Sequence, residues 1–143
     1  MAFCPKNVLL IEDHDVQAAL IERVLKQCNE TVRVQRLRDG TEAMSFVARG
    51  PYPLEDETTP DLILLDLILP GVHGLEVLKA IKAHPTLRLI PTVVLTADED
   101  DAKRLTAYQL HVNSFLIKGT DFRQFVQMIR DLDKYWNEWN QPV

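Results

Sequence analysis

The sequence predicts an α/β fold, a doubly wound five-stranded parallel sheet with helices on both faces. Three observations predict it. Short apolar runs recur at residues 8–11, 62–65, 92–95 and 114–117, each followed at once by a polar residue. Runs of that length suit strands buried on both faces. Stretches of helical periodicity separate them. Strand and helix alternate along the chain, and repeated βα units build a parallel sheet. At 143 residues the chain is one domain in size and can bury a core without disulfides or a structural metal.

The first strand, residues 8–11, ends in Glu12 and Asp13. Asp15 is placed to cap the helix that follows, where Val16, Leu20 and Val24 recur with Ile21, Leu25 and Cys28. Residues 31–35 alternate, so this second strand lies nearer an edge. Gly40 breaks the chain, and Thr41 can cap a helix carrying Ala43, Met44, Phe46 and Val47. Glu42 suits the positive end of that helix dipole. Residues 50–60 hold Pro51, Pro53 and Pro60 with Glu55, Asp56 and Glu57, the composition of a solvated connection. The third strand, residues 62–65, ends at Asp66. Pro70, Gly71 and Gly74 mark a loop, residues 75–83 a helix, and Pro85 its stop. The fourth strand ends at Thr96, residues 100–110 form a helix, and the fifth strand ends at Lys118. Thr120 or Asp121 caps a final helix running toward Trp139.

Composition excludes several classes of function. A net charge of -5 does not make a nucleic-acid surface. No apolar run approaches the roughly 20 residues that span a bilayer. Residues 1–7 lack the apolar segment of a secretory signal, so the expected location is the cytoplasm, away from membrane and nucleic acid. The two cysteines, Cys4 and Cys28, have no metal-binding spacing and are packing residues.

In open parallel sheets, ligands bind beyond the carboxyl ends of the strands. The informative residues are therefore Glu12, Asp13, Asp66, Thr96 and Lys118. Carboxylates gathered there repel one another, and a divalent cation relieves the repulsion. Oxygen donors without His or Cys suit Mg²⁺. The lysine offers a positive charge to a second anion such as a phosphoryl group, and the Thr96 hydroxyl can donate to the same anion. Asp66, ending the central apolar strand, is equipped as the nucleophile that forms an acyl phosphate.

These residues carry a resemblance. Residues 9–13, Leu-Leu-Ile-Glu-Asp, residues 61–70, Asp-Leu-Ile-Leu-Leu-Asp-Leu-Ile-Leu-Pro, then Gly74, residues 94–97, Val-Leu-Thr-Ala, and Lys118 together resemble a response-regulator receiver domain of two-component signalling. The likeness covers about residues 6–132. Within that family the chain most resembles the single-domain regulators of cyanobacterial phytochromes, through the acidic loop, residues 108–113 and the aromatic tail at 135–139. The resemblance implies a flavodoxin-like receiver topology. It implies a single receiver domain over residues 1–143, a helical extension at about 133–143, and no output domain. Asp66 is then the phosphoacceptor, served by a sensor histidine kinase. Mg²⁺ is held by Asp13, Asp66 and the backbone carbonyl of Ile68, with Glu12 helping through water. Thr96 and Lys118 bind the phosphoryl group. Phe115 stands at the aromatic switch position, where lack of a hydroxyl leaves packing as its only means. The family usually follows the lysine with a proline in a cis peptide; here Gly119 follows. A cis bond before a non-proline residue costs about 3 kcal/mol. The expectation is that the peptide between Lys118 and Gly119 is nonetheless cis, so that Lys118 reaches the site.

An enzyme of the haloacid dehalogenase type also uses an Asp at a strand end, but it needs a second acid two residues on, where this chain has Ile68. An interaction module that works without phosphorylation has no need of the full set of acceptor-site residues, all of which are present. A flavodoxin-like cofactor protein needs a glycine-rich or hydroxyl-rich phosphate loop after the first strand, where this chain has Glu12 and Asp13. The expected protein is thus no enzyme but a phosphoacceptor that takes part in its own phosphorylation and dephosphorylation. Hydrolysis of the phosphoryl group is expected to be slow, because the attacking water must pass Ile68 and Asp98, and Ile68 cannot orient it. Tyr135, Trp136 and Trp139 exceed what docking of the last helix requires, which predicts a homodimer through the last two helices and the strand between them.

Overall fold

The computed structural model describes residues 5–97, 100–118 and 122–134. Five strands, β1 (Asn7–Ile11), β2 (Arg33–Leu37), β3 (Leu62–Leu65), β4 (Thr92–Thr96) and β5 (Ser114–Ile117), form one sheet in the order β2-β1-β3-β4-β5. Every neighbouring pair is parallel. The helices are α1 (Asp15–Cys28), α2 (Gly40–Ala48), α3 (Gly74–Ala83), α4 (Asp101–Gln109) and α5 (Phe122–Lys134), with a 3₁₀ turn at Leu87–Leu89.

Strand alternation sorts the core into two layers. Leu10, Leu64 and Val93 face α1 and α5, where Ile21, Leu25 and Ile129 meet them. Ile11, Leu65, Val94 and Phe115 face α2, α3 and α4, against Phe46, Leu78 and Ala107. Both faces are covered, which explains why β3 is apolar throughout and β1 and β4 are apolar at every position but their ends. The edge strand β2 alternates exposed and half-buried positions and ends on buried Leu37, as its alternation predicts.

Most expected boundaries hold to within one residue, and three differences have a visible cause. β2 begins at Arg33, two residues later than residues 31–35 predict. The backbone N–H and hydroxyl of Thr31 are taken by the Asn29 side chain at 3.2 and 2.9 Å, so Thr31 belongs to the turn. The N-cap of α1 is His14, whose Nδ1 accepts from the Gln17 N–H; Asp15 is the first helical residue and no cap. The N-cap of α2 is Asp39 rather than Thr41. Asp39 accepts from the Glu42 N–H at 2.7 Å while Glu42 reaches back to the Arg38 N–H at 2.9 Å. The two side chains together satisfy two backbone donors, a variant of the capping box in which Glu42 reaches the residue before the cap.

Residues 50–61 cross the amino end of the sheet. Tyr52 stacks on Phe46 with ring centroids 4.6 Å apart and donates its hydroxyl to the Phe46 carbonyl. No helix among the described residues is long and apolar enough to cross a membrane. Asp98, the peptide between Lys118 and Gly119, the proposed cap at Thr120 or Asp121, and the tail with Tyr135, Trp136 and Trp139 lie outside the described residues.

Candidate functional site

The sheet order fixes where the site must lie. The chain leaves β1 toward β2 on one side and returns to β3 on the other, so a crevice opens between the carboxyl ends of β1 and β3. Glu12 and Asp13 leave β1 there, and Asp66 leaves β3. Backbone bonds hold both exits: the Glu12 N–H donates to the Leu37 carbonyl at 3.0 Å and the Asp66 N–H to the Ile11 carbonyl at 2.9 Å. Gly74 brings the start of α3 against the same exit. A Cβ there would stand 2.4 Å from the Leu67 Cα and 2.6 Å from the Asp66 carbonyl oxygen, so no larger residue fits.

Carboxylate oxygens of Glu12, Asp13 and Asp66 lie within 4.8 Å of one another. Glu12 and Asp66 are buried, whereas Asp13 is exposed at the mouth. Lys118, carried in at the end of β5, is buried between them. Its Nζ donates to Glu12 Oε2 and to Asp66 Oδ2, both at 3.0 Å. The other oxygen of Asp66, Oδ1, accepts from the Ile68 N–H at 3.0 Å. Burial pushes the Glu12 carboxyl up from its ordinary 4.5 to about 8; its hydrogen bond to Asp66 and the Asp66 charge add to the rise, and Lys118 opposes it. The repulsion the sequence implied is one part of this rise, after burial and the hydrogen bond to Asp66. Were both buried carboxyls ionised, one ammonium would not neutralise them, and Glu12 answers by holding its proton. The all-oxygen donor set fits a hard divalent cation, and the donors come from two adjacent strand ends.

The remaining expected residues fall nearby. Thr96 is buried at the end of β4, and its carbonyl accepts from the Lys118 N–H at 2.7 Å. Phe115 is buried in the layer under α4, opposite Val94. Thr96 and Val94 share a phase of the pleat, so Thr96 and Phe115 lie on one face. Ile68 is 53% exposed two residues beyond Asp66, with nothing polar in its side chain to offer water.

Two residues escaped the sequence reading. Gln17, in the first turn of α1, accepts from Lys118 Nζ through Oε1 and completes its set of partners. It lies one helical turn beyond Asp13, a spacing that becomes informative only when α1 is known to start beside the site. Arg36 of β2 donates to the carbonyls of Glu12 and Asp13, and its guanidinium holds the Asp15 carboxyl below the usual carboxylate range. Its signal was the phase of β2, which puts it opposite Leu10 on the α1 side.

Comparison with known proteins agrees with this geometry. Residues 8–130 match the response regulator receiver domain. The chain is 39% identical over 135 residues to response regulator Rcp1 of Synechocystis, covering 94% of this chain and 90% of that protein. It is also 39% identical to the probable methanogenesis regulatory protein FilR2 of Methanothrix harundinacea, over 96% of this chain and 87% of that one. The crystal structure of the Mn²⁺-bound form of Rcp1 superposes with a TM-score of 0.86 at 37% identity, covering 97% of this chain and 99% of that one. The phosphorylated cyanobacterial phytochrome response regulator RcpA gives 0.86 at 36% identity, over 96% and 97% of the two chains.

Proposed function

The chain belongs to the response regulator receiver domain family, and from that premise we propose that it is a phosphoacceptor switch with Asp66 as the acceptor. The observation that carries this reading is Lys118 Nζ at 3.0 Å from Asp66 Oδ2, beside the carboxylates of Glu12 and Asp13. A sensor histidine kinase supplies the phosphoryl group, and changed protein–protein contacts carry the signal. The likeness to RcpA favours a phytochrome as that kinase. The reaction belongs in the cytoplasm.

In the transfer, a carboxylate oxygen of Asp66 attacks phosphorus. The new O–P bond forms as the bond from phosphorus to the donor's leaving atom breaks, and that atom keeps the electron pair. Asp13, Asp66 and the Ile68 carbonyl would hold Mg²⁺ directly, with Glu12 acting through water. The ion, when bound, offsets the negative charge of the phosphoryl oxygens. Lys118 gives up its bonds to Glu12 and Gln17 to pair with the phosphoryl group, and the Thr96 hydroxyl donates to it. Movement at Thr96 is then felt by Phe115 through packing. Exposed Leu105 and Tyr108 on α4 adjoin this face and support self-association there, extended by Tyr135, Trp136 and Trp139. Ile68 beside the acceptor keeps a water from being oriented, so Ile68→Asn shortens the phosphoryl lifetime.

The test is incubation with acetyl phosphate, with Mg²⁺ or with a chelator, read by intact mass. The expected result is one added phosphoryl group with Mg²⁺ and none with chelator. Equal gain in both, or none in either, contradicts the reading.

A further inference from the structure

Arg36 sits on the edge strand, yet its side chain is only 18% exposed. Every face of its guanidinium is engaged. Nε donates to the Glu12 carbonyl at 3.0 Å, Nη2 to the Asp13 carbonyl at 3.1 Å, and Nη1 lies 2.8 Å from Asp15 Oδ1. A planar, fixed fork of donors holds its acceptors at set positions along an edge, whereas a lysine's donors all radiate from one nitrogen. The choice of acceptors is the informative part. Two are the carbonyls of the residues whose carboxylates enter the site, and the third opens α1. β2 therefore reaches across β1 and clamps the whole turn between β1 and α1.

We propose that Arg36 is a positioning residue for the cation site: by tying down the carbonyls of Glu12 and Asp13 it fixes the turn from which their carboxylates project. The inference rests on the acceptor-site reading above, because it gives the turn a ligand to present. The opposite reading has Arg36 as a surface ion pair with Asp15. The two differ in sign. A nearby positive charge repels a divalent cation, so deleting a mere charge tightens cation binding or leaves it unchanged. Deleting a clamp weakens binding, because the ligands must then be ordered when the ion arrives.

The experiment titrates Mg²⁺ into wild type, Arg36→Met, Arg36→Lys and Asp13→Asn by calorimetry. It also measures ¹⁵N order parameters for residues 12–15 in the metal-free proteins. Partners that orient metal ligands are commonly worth about 10- to 100-fold in affinity. Arg36→Met is expected to weaken Mg²⁺ by about tenfold or more, within that range. Arg36→Lys keeps the charge and loses the fork, so it too should weaken binding, and order parameters of the turn should fall in both variants. Should Arg36→Met fail to fold, as judged by circular dichroism, Arg36→Lys carries the test. Wild-type affinity or tighter in the folded variants, with an unchanged turn, overturns the proposal. A wild type that binds no divalent cation, and so matches Asp13→Asn, instead brings down the acceptor-site reading and this inference with it.

Discussion

Acidic side chains gather at both ends of the sheet, and the two ends treat them in opposite ways. At the amino end, Asp61 and Asp56 are satisfied by their own surroundings. Asp61 Oδ2 accepts from the backbone N–H groups of Lys6 and Asn7 at 2.6 and 3.1 Å. Asp56 Oδ1 accepts from the Thr58 N–H and hydroxyl, both at 2.8 Å, and these bonds hold its carboxyl below the usual carboxylate range. At the carboxyl end, Glu12 and Asp66 are buried against each other and share Lys118, and the Glu12 carboxyl is pushed up to about 8. The difference separates acids that finish a turn from acids that await a ligand. The first kind lowers its own charge penalty with fixed donors. The second kind crowds carboxyls so closely that Glu12 holds its proton to about pH 8, and a proton or a cation must offset the crowding.

The largest expected effect lies at the carboxyl end. Lys118→Met leaves Glu12 and Asp66 buried without their shared cation, and breaking a buried pair from one side costs about 3–5 kcal/mol. Urea unfolding of the metal-free protein checks it. A cost within about 1 kcal/mol, the range of an exposed pair, would erase the contrast between the two ends. Asp61→Ala removes an anionic acceptor from two backbone donors at the partly exposed amino end. It should cost about 1–2 kcal/mol in the same assay, at the modest end for bonds to charged groups. Acid titration gives the smallest effect. The Asp56 carboxyl is lowered on folding, so its contribution is present above the ordinary carboxylate pKa and is lost as pH falls through the lowered value. The thermal midpoint of wild type should therefore drop slightly more than that of Asp56→Ala between about pH 6 and about pH 2. Parallel curves would show that the turn gains nothing from the ionised acid.

The same contrast explains what was legible in the sequence. Buried parallel strands need apolar runs, and the residue after each run must lie at the carboxyl end, so Glu12, Asp13, Asp66, Thr96 and Lys118 could be read directly. The edge strand offered only alternation, which carries no mark of where pairing starts; the Asn29 side chain decides that by capturing Thr31. The helix caps were missed by one and two residues because His14, Asp15, Asp39 and Thr41 all have suitable side chains. Only the reach of each to a free N–H selects among them. Gln17 and Arg36 were invisible for a different reason. Each acts on residues from another element: the alternation of β2 gives Arg36 a side of the sheet, but the carbonyls it reaches, and the approach of Gln17 to Lys118, follow from how the elements pack.

The central claim is that the crowded carboxyls and Lys118 at the carboxyl end make Asp66 a phosphoacceptor. It is tested most directly by incubating wild type and Asp66→Asn with acetyl phosphate and Mg²⁺ and weighing the intact proteins. The account predicts one added phosphoryl group on wild type and none on the variant. Equal gain on both proteins, or a phosphoryl group mapped to a residue other than Asp66, would contradict it.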